Sequence, residues 1–140
     1  MERTTVSYDL VLHLLSGDGD VLPLTAMLHY DASDPLAVTA LFNDGGDEPV
    51  RWVFARDLLE AGLDQSAGEG DVLIWPTRDA AGRPAIHIRL HSPHGDALLE
   101  ADADEVERFL RDTHRLVPPG TEHRYIDVDA TIAAVLADSW

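Results

Sequence analysis

Apolar residues recur at every second position through most of the first hundred residues. Val6, Tyr8, Leu10, Leu12 and Leu14 form one such face, with Ser7, Asp9 and His13 opposite, which predicts a strand wet on one side. Ser16-Gly-Asp-Gly-Asp20 turns the chain. Leu22, Leu24, Ala26, Leu28 and Tyr30 then resume the alternation as an antiparallel hairpin partner, with Pro23 near the strand start. Asp31-Ala-Ser-Asp-Pro35 reads as a loop, followed by a third strand with Leu36, Val38, Ala40 and Phe42 on one face. The turn signal Asn43-Asp-Gly-Gly-Asp47 feeds a fourth strand over Val50, Trp52 and Phe54. From Ala55 to Gly62 the spacing becomes helical, and Gly62 sits where a helix C-terminus favours glycine. After a polar turn over Asp64 to Gly70, a strand runs from Asp71 to Trp75, and Pro76 stops it or marks a sheet edge. Beyond the turn Arg78 to Arg83, Ile86, Ile88 and Leu90 alternate with His87, Arg89 and His91, and Ser92-Pro-His-Gly95 closes a last hairpin into Asp96 to Ala101. Seven strands joined mostly by short turns predict an antiparallel barrel or sandwich, a mainly-β member of the α+β class.

The period then changes. Asp102 or Asp104 supplies an N-cap, and Val106, Phe109, Leu110 and Leu116 or Val117 share one helical face until Pro118-Pro-Gly120 ends it. A further helix, capped by Asp127 or Asp129, would carry Ile132, Val135 and Leu136 on one side and run to Trp140. Two or three helices therefore accompany the sheet. Its length suits a single domain over residues 1–140 with one core.

Composition narrows the chemistry. With no Cys, disulfides, thiolate metal sites and cysteine nucleophiles are excluded. The formal charge of −16, spread along the chain, suits a solvated surface and opposes tight binding of phosphate backbones. The start of the chain shows no signal-peptide pattern, and no apolar run approaches the ~20 residues of a membrane span, so a cytoplasmic protein without membrane insertion is expected. Of the histidines, His87, His91 and His94 come nearest to a metal cluster, but four residues of strand separate the first two by roughly 13 Å. None of the serines lies in a G-x-S-x-G elbow, and with 26 acidic residues a plausible carboxylate pair carries no information. The glycine pairs at 45 and 46 and at 68 and 70 are turn glycines in acidic surroundings. No catalytic residue, cofactor or metal site is therefore expected. Trp52, Trp75 and Trp140 could stack on bases only if Arg51, Arg56, Arg78, Arg83 and Arg89 gathered around one of them.

Three motifs give a family resemblance. Trp52-Val-Phe-Ala-Arg-Asp-Leu-Leu59 with Gly62-Leu63, Gly70-Asp-Val with Trp75-Pro76, and Val117-Pro-Pro-Gly-Thr-Glu-His123 with Asp127 and Asp129 resemble the SsgA-like proteins of sporulating actinobacteria. Thr4-Thr-Val-Ser7, Glu122-His-Arg and Leu136-Ala-Asp-Ser139 are most similar to the branch that positions the FtsZ ring at sporulation septa. The resemblance implies a non-enzymatic regulator of septation with FtsZ and other septum-associated proteins as partners. It also implies a seven-stranded antiparallel barrel of whirly-like architecture, assembled as a homotrimer. Similarity in shape to single-stranded nucleic-acid binders keeps a nucleic-acid-binding module as the alternative, although function belongs to the site rather than the fold. Trp52, Phe54, Arg56, Asp57, Leu58 and Leu59 are the family-signature positions. Arg56 and Asp57, charged within an apolar run, are expected as a buried pair or a partner contact. Ile132, Val135, Leu136 and Trp140 are the expected oligomer contacts.

Overall fold

Every one of the alternating segments forms a strand in the computed structural model, which describes residues 4–43, 48–68, 70–93 and 95–126. The strands are β1 (Thr5–Leu15), β2 (Val21–Asp31), β3 (Ala37–Phe42), β4 (Val50–Ala55), β5 (Val72–Arg78), β6 (Pro84–Ser92) and β7 (Gly95–Asp102). Helix α1 (Arg56–Gly62) follows β4, α2 (Ala103–Leu116) follows β7, and a single 3-10 turn spans Glu122–Tyr125. All seven strands join one antiparallel sheet in the order β4-β3-β2-β1-β7-β6-β5, curled into a half-barrel. The expected seven-stranded antiparallel architecture is thus present.

The sheet curls because one face is apolar and the other is wet. Leu10 stands opposite Ala26, Leu28 opposite Ala40, and Ile88 opposite Leu99, so the buried positions of neighbouring strands stay in register and form one core. Helix α2 closes this core with Val106, Phe109 and Leu110, and burying a ring such as Phe109 contributes roughly 1.5–3 kcal/mol. Tyr8 meets Phe109 edge-on and its hydroxyl donates to Asp112 Oδ2 at 2.6 Å, which fixes where α2 lies along β1. The Asp102 carboxylate caps α2 by accepting from the Glu105 N–H at 3.1 Å.

Helix α1 joins the two edge strands, packing against both β4 and β5. Leu59 is buried, and Gly62 lies flat on β5. A Cβ at Gly62 would stand 2.3 Å from Ile74 Cγ2, so this glycine allows close approach of helix to strand. It is not in the left-handed conformation, since the positive-φ glycines lie elsewhere. Three other details differ from the sequence pattern, the first being Leu22, which is 50% exposed at the start of β2 although the alternation puts it on the core face. Leu36 is 54% exposed, because β3 begins one residue later and Leu36 falls in the preceding loop. Pro76 does not end β5, which continues to Arg78, and it sits on an edge strand where its missing N–H costs no ladder bond. The turn after Asn43 at positions 44–47, His94 and the C-terminal helix with Ile132, Val135, Leu136 and Trp140 lie outside the described residues.

Candidate functional site

The signature run splits between core and surface as β4 passes into α1. Trp52 is half-buried and lines the interior, Phe54 and Leu59 are buried, and Leu58 packs partly against the core. Arg56 is only 1% exposed, whereas the next residue, Asp57, is exposed in the first turn of α1, where a negative charge suits the helix N-terminus. The two charges do not pair with each other. The acidic partner of Arg56 comes instead from the Val117-Pro-Pro-Gly-Thr-Glu122 motif.

Arg56 Nη2 donates to Glu122 Oε1 at 2.8 Å, and Nη1 donates to the carbonyls of Val117 at 2.8 Å and Thr113 at 3.2 Å. Those carbonyls belong to the C-terminal end of α2, which carries partial negative charge; Thr113 O also accepts from the Val117 N–H at 2.8 Å, whereas Val117 O lies past the last intrahelical donor, so the guanidinium caps the helix as well as pairing an acid. Its carbon stands 5.0 Å from the centre of the Tyr30 ring, and the Tyr30 hydroxyl donates to Pro35 O at 2.9 Å. Burial pushes the Tyr30 phenol up to about 12, against a smaller lowering by Arg56. The Glu122 carboxyl is held below its ordinary value, first by its own backbone N–H and then by Arg56, while Glu122 Oε2 accepts from Gly120 N–H at 2.9 Å. One planar guanidinium therefore joins β2, α1, the end of α2 and the loop after it. With its donors turned inward, the cluster positions elements and presents no reactive group.

The remaining candidates scatter. His87 bonds Glu100 at 3.0 Å and His91 bonds Asp96, so the two histidines have separate acidic partners; among the described residues no three His, Asp or Glu side chains come together at metal-ligand spacing. Arg89 pairs with Asp96 at 3.2 Å beside Trp75, Arg78 bonds the Gly82 carbonyl in the β5–β6 turn, and Arg51 lies on β4 at the opposite end of the sheet order. One contact escaped the sequence reading: His114 of α2 approaches Glu60 of α1 at 3.5 Å, and its Nε2 has no hydrogen bond among the described residues. A lone His on a helix face gives no signal for such a contact. Among the described residues no helix is long and apolar enough to cross a membrane.

A half-barrel of this topology, clamped by a buried arginine between two sequence motifs, defines a β scaffold whose motif charges serve its own architecture. Comparison with known proteins assigns it. Residues 24–122 match the family model described as the Streptomyces sporulation and cell division protein SsgA. The sporulation-specific cell division protein SsgB of Streptomyces coelicolor is 50% identical over 98% of this chain and 99% of its own length, and SsgB of Thermobifida fusca is 44% identical over 96% of each. A solved structure from work on SsgB mutations that correlate with longitudinal cell division during sporulation of S. coelicolor superposes with a TM-score of 0.83 at 52% identity, covering 87% of this chain and 95% of that one. The crystal structure of an SsgA-like sporulation-specific cell division protein from T. fusca gives a TM-score of 0.84 at 43% identity, covering 96% of this chain and 98% of that one. The chain belongs to the SsgA-like family and falls with its SsgB-type members, which are named as cell division proteins.

Proposed function

We propose that this protein is a non-enzymatic adaptor that acts in the cytoplasm at the division septum and helps place or recruit the FtsZ ring during sporulation. The observation that carries the reading is whole-length likeness to SsgB, with half of all positions identical and nearly the full length of both chains aligned. The arrangement of Arg56 supports it, because the motif's strongest charge is committed to holding the fold and leaves recognition to the outer surface. Assembly as a homotrimer through Ile132, Val135, Leu136 and Trp140 would present three copies of that surface to a multimeric partner, raising weak single contacts by roughly 10²- to 10⁴-fold.

The competing reading, a single-stranded nucleic-acid binder, requires arginines grouped around an exposed tryptophan. Trp75 has Arg89 beside it, already paired with Asp96, and Arg56 is buried. The test is co-sedimentation of purified FtsZ polymers with the intact chain and with a version truncated before Asp127, alongside analytical ultracentrifugation of both. Enrichment with polymers, reduced together with oligomer size by the truncation, is the expected result. Two monomers that sediment equally with FtsZ would remove the trimeric adaptor, and micromolar binding of single-stranded DNA with a steep salt slope would favour the competing reading.

A further inference from the structure

β4 stands at one end of the sheet order, and one side of its backbone is unpaired among the described residues. Arg56 N–H donates to Leu36 O at 2.9 Å, which makes those two residues a hydrogen-bonded pair. By the alternation of an antiparallel ladder, Phe54 with Val38, Trp52 with Ala40 and Val50 with Phe42 are bonded pairs as well. The N–H and C=O groups of Arg51 and Val53 therefore point away from β3, toward the free edge.

The two ends of the sheet are treated differently. On β5, Ile74 and Ala67 exchange both backbone bonds, at 2.8 and 2.9 Å, and Pro76 interrupts the row of donors. Such devices blunt an edge against pairing. β4 has no Pro, and its register with β3 runs without a bulge from Val50 to Ala55. Beside it, at the end of the half-barrel away from α2, opens a cavity of about 320 Å³ bordered mostly by apolar residues, among them Leu24, Phe42, Val50, Trp52 and Leu90, and by the polar Ser92. That volume is roughly ten waters' worth, enough for one or two apolar side chains. On the outward face Val53 is 49% exposed, and Arg51 is an exposed cation with no ion pair among the described residues, in a chain of formal charge −16.

We propose that β4 is a strand-addition site for an extended segment of a partner protein. Apolar side chains at alternate positions of that segment enter the cavity beside Val50 and Trp52, and an acidic side chain on its outward face meets Arg51. The backbone edge supplies affinity, while the cavity and Arg51 supply selectivity. This deepens the adaptor reading and rests on it for the partner being a protein. Arg51, without an ion pair among the described residues, is what selects an acidic segment, since the net charge of the chain by itself would draw a basic one.

Fluorescence anisotropy of the intact chain tests this with a labelled peptide of about eight residues alternating Val and Glu, and with an isomer of the same composition arranged in blocks. The alternating peptide is expected to bind at least ~10-fold more tightly, because only it presents one apolar and one acidic face as a strand. Val53→Pro removes an N–H that faces the edge without touching the β3 ladder, and weakens that binding about 10-fold, whereas Val53→Thr retains it. Arg51→Glu, on the exposed face, weakens it about two- to five-fold and carries the test alone if the proline variant does not fold. Equal binding of the two isomers, or indifference to both Val53→Pro and Arg51→Glu, overturns the proposal. So does an oligomer that Val53→Pro dissociates, which would assign the edge to a second copy of the chain. FtsZ co-sedimentation by the same variants separates the two ideas: peptide failure with FtsZ binding intact removes only the edge, and peptide binding without FtsZ enrichment removes only the choice of FtsZ.

Discussion

Replacing Arg56 by Ala removes three hydrogen bonds at once; the Val117 carbonyl at the end of α2 loses this donor, while the Thr113 carbonyl keeps the Val117 N–H at 2.8 Å. Removing one partner of a buried pair costs about 3–5 kcal/mol, against a total stability of about 5–15 kcal/mol for a domain. The upper part of that range applies to Arg56, which is fully buried, shared between an acid and two carbonyls, and stacked on Tyr30. For a chain of this size each kcal/mol moves the melting temperature by about 3–4 °C, so a fall of roughly 10–20 °C is expected. Chemical unfolding in urea, followed by tryptophan fluorescence, should show a lower midpoint with an unchanged slope. Arg56→Lys retains the charge but lacks the planar fork that serves Glu122 and Val117 together, and should fall between wild type and Ala. Because Arg56 and Glu122 act as a unit, the double substitution Arg56→Ala with Glu122→Ala should lose less than the sum of the two singles. A loss below about 1 kcal/mol for Arg56→Ala, or strict additivity in the cycle, would mean that water takes the place of the arginine and that the clamp does not hold the fold.

Three further outcomes follow from the same geometry. Gly62→Ala should destabilise by about 1–2 kcal/mol in thermal unfolding, because the clash with Ile74 outweighs the gain in helix propensity; a stabilised variant would show that α1 lifts freely off β5. Glu122 has a lowered folded-state pKa, so its contribution is complete above its ordinary value of 4.5 and fades as pH falls through the folded value; Glu122→Gln should flatten the acid limb of a stability-versus-pH curve, and an unchanged limb would contradict the assignment. Tyr30 is raised from 10.0 to about 12, so folding stability that it supports is present below pH 10 and is lost as pH rises toward 12; ultraviolet titration should show a tyrosine ionising well above the ordinary phenol range, and Tyr30→Phe should remove that step.

The strands could be read from the chain because a half-buried sheet writes its two faces as a period of two, and Val6 to Tyr30 carries that period with only one turn between. Their order could not. β1 lies between β2 and β7, a pairing of His13 with Glu100 and Leu14 with Leu99 that unites the two halves of the sheet, and nothing local to either strand announces it. Gly62 shows a different kind of failure: glycine after a helical run suggests a C-cap, yet the reason it is needed lies on β5, where Ile74 leaves no room for a Cβ.

Arg56 and Asp57 show where the reading of the site ran out. Adjacent charges in an apolar run signal that at least one is buried, but they point to opposite sides of a helix start, and the sequence does not say which goes in. Helix geometry and the Val117 to Glu122 loop decide it, since Arg56 alone faces the end of α2 and an acid 66 positions away. That separation has a consequence for function. The two motifs most indicative of the family meet in one buried cluster, so substitutions in either should act through stability before they act on a partner. A partner surface is better sought where the fold leaves polar backbone and charge unmatched, and among the described residues the edge of β4 with Arg51 meets that condition while Arg56 does not. The clamp also holds the chain just before Ile126, where the described residues end, so that whatever the segment carrying Ile132, Val135, Leu136 and Trp140 contacts, it starts from a point fixed against α1 and α2.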